Sequence, residues 1–287
     1  MAKINEIKRK KASTEKTAQI TRALELVSAS KLGKTSEKKL KIERYSHLLS
    51  KMIGHLAESC KQDDINDYFT PHKKVKVVGI IVVSTDRGLC GNLNTQTFKK
   101  VLEFMQDLQN QNKGVVICTV GNKATSFFQK FNLQVLESCA KPDISDKTVL
   151  ETCQKLIYQY KQKNVNEVYV FYSQMNSILE QVPVKKQILP IPKIPRENLT
   201  GLCEYIYEPN KKNILDTLLD RFIRYSIYQA VVENAASEEA ARTMAMKNAT
   251  DNAGKIIETL QLSVNKARQT QVTTELSEII GGAEAIE

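Results

Sequence analysis

Val75–Asn94 reads V-K-V-V-G-I-I-V-V-S-T-D-R-G-L-C-G-N-L-N, a near-continuous run of β-branched residues that ends in a glycine-bearing polar turn. A strand apolar on both faces is the mark of a parallel sheet covered by helices on each side. Working outward, Val115–Val120, Leu133–Leu136 and Val168–Tyr172 have the same character. Helix-compatible stretches lie between them at Thr95–Gln109, Lys123–Lys130 and Lys147–Gln162. The alternation predicts an α/β domain on a mainly parallel sheet, placed over residues 74–200. Val182–Pro195, with four prolines, is read as the connection that leads the chain out of that domain.

The flanks have a different period. Ile4–Ala57 contains no proline and only Gly33 and Gly54, which permits one long helix within residues 1–60. Its apolar residues are sparse: Ile4 and Ile7, then Ile20, Leu24 and Val27, then Ile42, Tyr45, Leu49, Met52 and Leu56. The last five step by 3, 4, 3 and 4, the seam of a helix that buries a narrow stripe against another helix. The matching partner follows Pro209, over residues 209–287, where no proline occurs and no glycine before Gly254. Leu215, Leu218, Phe222 and Tyr225 begin its stripe, which continues through Val232, Ala236, Met246, Ala253, Ile257, Leu260 and Val264. Eight alanines between Ala230 and Ala253 let helix axes approach closely. A helix of some 70 residues is about 100 Å long at the usual rise, so part of it is expected to project or to lie inside another protein.

Composition bounds the rest. The 287 residues carry a formal charge of +10, with 41% hydrophobic and 26% charged residues, which excludes disorder and a collagen-like fibre. Residues 1–60 hold 14 basic and 6 acidic side chains, residues 61–210 hold 19 and 15, and residues 211–287 hold 9 and 11, so the excess sits at the N-terminus. Apolar runs such as Val77–Val83 fall far short of the roughly 20 residues of a membrane span. Six cysteines form no C-x-x-C pair and there are only three histidines, which argues against a zinc site and for a reducing compartment. The first residues, Met1-Ala2-Lys3-Ile4-Asn5-Glu6-Ile7, lack the apolar core of a signal peptide, and the chain is placed on the cytoplasmic side.

Two segments invite chemistry. Ser84–Asn94 sits beyond the carboxyl end of a strand, where open α/β sheets bind ligands. It contains neither G-x-G-x-x-G nor the Gly-Lys-Ser/Thr of a P-loop, so it reads as a structural turn, with a nucleotide site as the competing reading. Cys90 has no histidine nearby in sequence to activate it as a nucleophile. The basic block Lys8-Arg9-Lys10-Lys11, with Lys31, Lys34, Lys38, Lys39 and Lys41, is either a solvated face attracting acidic protein or lipid, or a nucleic-acid face. The first 44 residues hold no aromatic for stacking, which favours the former.

Ser84–Asn94 also resembles the characteristic turn of the gamma subunit of F-type ATP synthases. Val272–Ala285 (V-T-T-E-L-S-E-I-I-G-G-A-E-A) is similar to the closing signature of that family, and Ile4–Lys31 and Val231–Glu238 (V-V-E-N-A-A-S-E) resemble its flanking helices. The motifs occur in order over nearly the whole chain. The resemblance implies a long antiparallel coiled coil of N- and C-terminal helices with an inserted Rossmann-like α/β domain. In that family the coil turns within a ring of three alpha and three beta subunits. The α/β domain stands on the membrane c ring beside the epsilon subunit.

Ion flow turns the c ring and the shaft with it, and the asymmetric shaft drives the beta subunits through their nucleotide states. The implied function is therefore torque transmission for ATP synthesis and proton flow, at the cytoplasmic face of a bacterial inner membrane. Catalysis lies on the beta subunits, and this chain has no cofactor. By matching motifs, Arg268 and Gln269 fall where the family's shaft bonds a beta-subunit loop, and Leu24 where it passes the acidic lever of beta. Tyr205, Tyr207 and Glu208 fall at the foot facing the c ring and epsilon, with packing of an edge strand as the alternative for the two tyrosines. Asn92 stands where the family's turn usually has glycine, a residue type that tolerates a left-handed backbone. The cysteine-bearing regulatory insert of the plastid form has no counterpart. A nucleotide-dependent α/β enzyme and a basic coiled-coil adaptor for nucleic acid are the competing functional readings.

Overall fold

The first sheet strand, β1 (Val77–Val83), is buried on both faces, and its side chains separate into two cores. Val78, Ile80 and Val82 point to one cluster; Ile81 and Val83 point to the other, as the two-residue period of a strand requires. The computed structural model describes residues 2–59, 68–69, 75–131, 135–139, 146–192 and 211–284. After helix α1 (Ala2–Ser59) and β1 come α2 (Leu93–Asn110), β2 (Gly114–Val120), α3 (Asn122–Phe128) with a 3-10 turn at Gln129–Phe131, and β3 (Val135–Cys139). Then follow α4 (Asp146–Lys161), β4 (Glu167–Met175), β5 (Gln181–Leu189) and α5 (Lys211–Glu284).

The chain divides into two compact units, one of residues Ser30–Ala241 and one of Met1–Ala29 with Arg242–Glu287. In the larger unit the strand order is β3-β2-β1-β4-β5. β1 pairs in parallel with β2 and β4, β2 pairs in parallel with β3, and β5 runs antiparallel to β4. Helices α2 and α3 cover one face through Phe98, Val101, Leu108, Ala124 and Phe128. The other face is covered by Leu156 and Tyr160 of α4 and by Leu215, Leu219, Ile223 and Ile227 of α5, joined by Ile53 and Leu56 of α1. Each such large apolar side chain, fully buried, is worth about 1.5–3 kcal/mol. Gly79 is required where α4 crosses β1, since a Cβ there would lie 2.8 Å from Leu156 Cδ1.

Several sequence expectations need correction. Val182–Pro195 is not merely a connection, because Gln181–Leu189 forms β5. Pro183 is accommodated opposite Ser173 because β5 is an edge strand, where one absent N–H costs the sheet little. On α1 the buried positions of the larger unit are Ile42, Leu49, Ile53 and Leu56, while Tyr45 and Met52 are exposed. Tyr45 instead packs against the Tyr225 ring at 4.4 Å between centroids. On α5 the fully buried row is Leu215, Leu219, Ile223 and Ile227, whereas Leu218, Phe222 and Tyr225 are half-buried beside it.

The helices pair with opposed directions in the larger unit: Lys38 lies over the Tyr228 ring, and Tyr45, further along α1, meets Tyr225, earlier on α5. In the smaller unit, Thr21 Oγ1 and Thr250 Oγ1 are hydrogen-bonded at 2.8 Å. The inward positions of α1 there are Ile4, Ile7, Lys11, Thr14, Ala18, Thr21, Leu24 and Ser28, a heptad row made largely of small or polar residues. Ile20 and Val27, expected on the stripe, are exposed.

Candidate functional site

The turn after β1 is built from its own side chains. Ser84 leaves the strand with its N–H donated to the Val120 carbonyl at 2.8 Å, and its Oγ accepts the Ala124 N–H at 2.8 Å, which ties the start of α3 to the end of β1. Gly121 permits this approach: it adopts φ +102°, and a Cβ would run into the Ser84 backbone. Thr85 Oγ1 donates to the Arg87 carbonyl and accepts from Asn94 Nδ2, both at 2.7 Å, while Asn94 Oδ1 accepts the Thr85 N–H at 3.2 Å. Asp86 is spent on the Asn122 N–H at 2.9 Å. Leu89 and Gly91 take the left-handed backbone, at φ +64° and +62°. Asn92 does not take it, since its φ is −95°.

Cys90 is buried with Leu93 and Ala241, and its Sγ accepts from Asn94 Nδ2 at 3.6 Å. Thr85, Cys90 and Asn94 are committed to one another within the loop, and Asp86 to the start of α3. The turn docks against α5 and holds the end of the sheet.

A second set of polar contacts was not picked out in the sequence. Ser173 of β4 lies beyond the last β1–β4 pair, Val82 with Phe171, and its backbone groups are taken up by α5 instead. Its N–H donates to Asn234 Oδ1 at 3.1 Å, and its carbonyl accepts from Ser237 Oγ at 2.7 Å. Its own hydroxyl bonds Thr97 Oγ1 of α2 at 2.9 Å. One residue thus joins α2, the sheet and α5. The signal available in the sequence was two polar residues, three apart, inside the alanine-rich stripe of α5.

One turn earlier lies Glu233, 4% exposed, held by Gln229 Nε2 at 3.4 Å on one oxygen, with the other oxygen unpartnered among the described residues. Burial pushes its carboxyl above the ordinary carboxylate range, against the pull of Lys39, Gln229 and Lys186 and with a push from Glu43. Burial also lowers Lys186 on β5, and it raises the Tyr172 hydroxyl on β4 with help from Glu233. Lys39 of α1 reaches the Met175 carbonyl at 3.4 Å. This cluster is where α1, the β4–β5 pair and α5 converge.

In the smaller unit, Arg268 and Gln269 are exposed neighbours on α5, and Leu24 is half-buried on α1. Thr21 is bonded to Thr250, and the 18 residues from Thr250 to Arg268 span roughly 27 Å of helix. Leu24 and the Arg268–Gln269 pair are therefore separate places on the surface of this unit. Tyr205, Tyr207 and Glu208 lie outside the described residues.

A family model described as ATP synthase matches residues 3–286. The chain is 42% identical to the ATP synthase gamma chain of Glaesserella parasuis over 292 aligned positions, and 40% identical to that of Pasteurella multocida over 291, with all of each chain covered in both cases. Among solved structures, a chain of the Euglena gracilis mitochondrial ATP synthase (OSCP/F1/c-ring) superimposes with a TM-score of 0.67 at 18% identity, covering 99% of this chain and 95% of that one. A chain of the Tetrahymena thermophila mitochondrial ATP synthase central stalk and c ring gives 0.57 at 18% identity, covering 80% and 99%. The structural likenesses carry the fold. Full-length identity above 40% in sequence, with the family match and the ordered motifs, carries the membership: the chain belongs to the ATP synthase gamma chain family.

Proposed function

We propose that this chain is the rotor of an F-type ATP synthase: a non-catalytic shaft that carries torque between an ion-driven c ring and the catalytic beta subunits. The observation that carries the reading is the surface of the smaller unit. Two paired helices leave Ile20, Leu26, Val27, Leu262, Leu276, Ile279 and Ile280 exposed, with Leu262 at 70%. Apolar side chains at this density on a helical pair call for a covering partner. A ring of alpha and beta subunits enclosing the pair supplies one.

Arg268 and Gln269 are proposed to bond a beta-subunit loop, and Leu24 to pass the acidic lever of beta. Tyr205, Tyr207 and Glu208 are proposed to meet the c ring and epsilon. The division into residues 1–60, 74–200 and 209–287 is the corresponding functional one: helix, foot, helix. To move a beta subunit's two-state population from 1:99 to 99:1, the shaft's contacts must differ between states by about 5.5 kcal/mol. No helix among the described residues is long and apolar enough to cross a membrane, so attachment would be peripheral, through the complex. The proposed location is the cytoplasmic face of a bacterial inner membrane, a reading supported by the likeness to the gamma chains of Glaesserella parasuis and Pasteurella multocida.

The test is reconstitution. The purified chain should be inactive by itself and should restore ATPase activity to purified alpha and beta subunits, co-eluting with them. Absence of a stable complex would refute the rotor reading.

A further inference from the structure

Between α2 and the α3 segment of the larger unit runs an open groove of about 640 Å³, walled at one end by Gly88–Gly91 and Asn94 of the turn and separate from the α5 joint. Its floor is apolar: Phe98, Leu102 and Phe127, with the Phe98 and Phe127 rings stacked at 4.8 Å between centroids. Leu89 closes one end and is 63% exposed, on a backbone held at φ +64°. The rim is cationic. Lys99, Lys123 and Lys130 line it, and no carboxylate does among the described residues. Lys99 is 3.9 Å from Glu103, an exposed i,i+4 pair of the kind that contributes only a few tenths of a kcal/mol, so its charge remains available to a better partner. Asp86, the acid nearest in the turn, is already bonded to the Asn122 N–H.

Apolar floor, basic rim and helical walls together select the occupant. A groove between helices takes an amphipathic helix that lays its apolar stripe on the floor. The rim charges require acids flanking that stripe, and they steer encounter as well as fixing orientation. A nucleotide fits less well: the Thr85, Asp86 and Asn94 side chains are already bonded, and Gly88 and Gly91 belong to neither G-x-G-x-x-G nor a P-loop. We propose that the α2/α3 groove is a docking site for an acidic amphipathic helix of a partner protein. Its apolar side chains cover Leu89, Leu102 and Phe127, with the buried Phe98 beneath them, and its carboxylates pair with the three lysines. The groove belongs to the larger unit, whereas Arg268, Gln269 and Leu24 belong to the smaller one.

The experiment uses the full-length chain and a fluorescein-labelled helical peptide of about five turns, with leucines at i, i+4 and i+7 flanked by glutamates, followed by fluorescence anisotropy. Saturable binding is expected. The double reversal Lys123→Glu and Lys130→Glu should weaken it about tenfold or more, and Ser126→Trp should block it by filling the groove from an exposed position outside the core. Circular dichroism verifies that the variants are folded. Reversal of Lys8 and Lys10 on α1 should leave binding unchanged. The proposal is overturned if the peptide does not bind, if binding is lost with Lys8 and Lys10 but not with Lys123 and Lys130, if a peptide with alanine for leucine binds equally well, or if labelled ATP binds the groove and the peptide does not. Co-elution with alpha and beta subunits is scored separately on the same variants, so failure of this site and failure of the rotor reading give different results.

Discussion

Asn234 and Ser237 hold the backbone of Ser173 from α5, and replacing them tests whether that joint makes sheet and helix move as one body. Ser173, Asn234 and Ser237 are buried, so water cannot replace a lost partner. In Asn234→Ala the Ser173 N–H, now 3.1 Å from its acceptor, is left unpaired, and a buried unsatisfied donor costs about 1–3 kcal/mol. In Ser237→Ala the Ser173 carbonyl loses a donor at 2.7 Å, for about 0.5–1.5 kcal/mol net. For a unit of this size each kcal/mol corresponds to roughly 2–4 °C of midpoint, so Asn234→Ala should unfold several degrees early by calorimetry. Because both bonds end on one residue, the double variant should depart from additivity by about 0.5 kcal/mol or more. In reconstituted membranes ATP hydrolysis should persist while ATP-driven proton pumping falls, since a loosened joint dissipates torque without touching the catalytic subunits. The reasoning is refuted if Asn234→Ala changes stability by less than about 0.5 kcal/mol, or if hydrolysis and pumping fall in equal proportion.

Further outcomes follow from the same packing. Gly79→Ala places a Cβ 2.8 Å from Leu156 Cδ1 and should destabilise by about 1–3 kcal/mol. Adding Leu156→Ala, which alone costs about 2–5 kcal/mol by urea unfolding, should give a double variant less destabilised than the sum. The Glu233 carboxyl is raised in the folded state, so its contribution is fully present below the ordinary carboxylate range and is lost as pH rises through the raised value. Glu233→Gln does not titrate, and its stability relative to the natural chain should increase with pH across that window; urea midpoints against pH decide it. Arg268→Ala, at an exposed helical position, should change the unfolding midpoint by less than about 0.5 kcal/mol while lowering coupled ATP synthesis, and unchanged synthesis would remove Arg268 from the contact set.

Which features were legible in the sequence depends on how far apart the interacting residues lie along the chain. The β1 run and the turn behind it were legible because their partners are local: Thr85, Arg87, Cys90 and Asn94 close on one another within ten residues. The joint at Ser173 was not, since Asn234 and Ser237 are 61 and 64 positions away and nothing local marks them as paired. β5 was hidden by Pro183, which counts against a strand everywhere except at an edge, and edge position is a property of the sheet.

The coiled-coil stripe was misplaced for a different reason. Large apolar residues were taken to mark the inward face of α1, and in the smaller unit Ile4, Ile7 and Leu24 do lie there, but Lys11, Thr14, Ala18, Thr21 and Ser28 fill the rest of that face while Ile20, Leu26 and Val27 look outward. A pair of helices selected only for its own stability would reverse that arrangement, because each buried Ile or Leu contributes more than a Thr–Thr hydrogen bond. Small inward residues bring the axes close and keep the pair slender, and outward apolar residues are what an enclosing partner would cover. The outward placing of Ile20, Leu26 and Val27 is thus the feature in which fold and proposed function coincide: these are the side chains that other chains would cover.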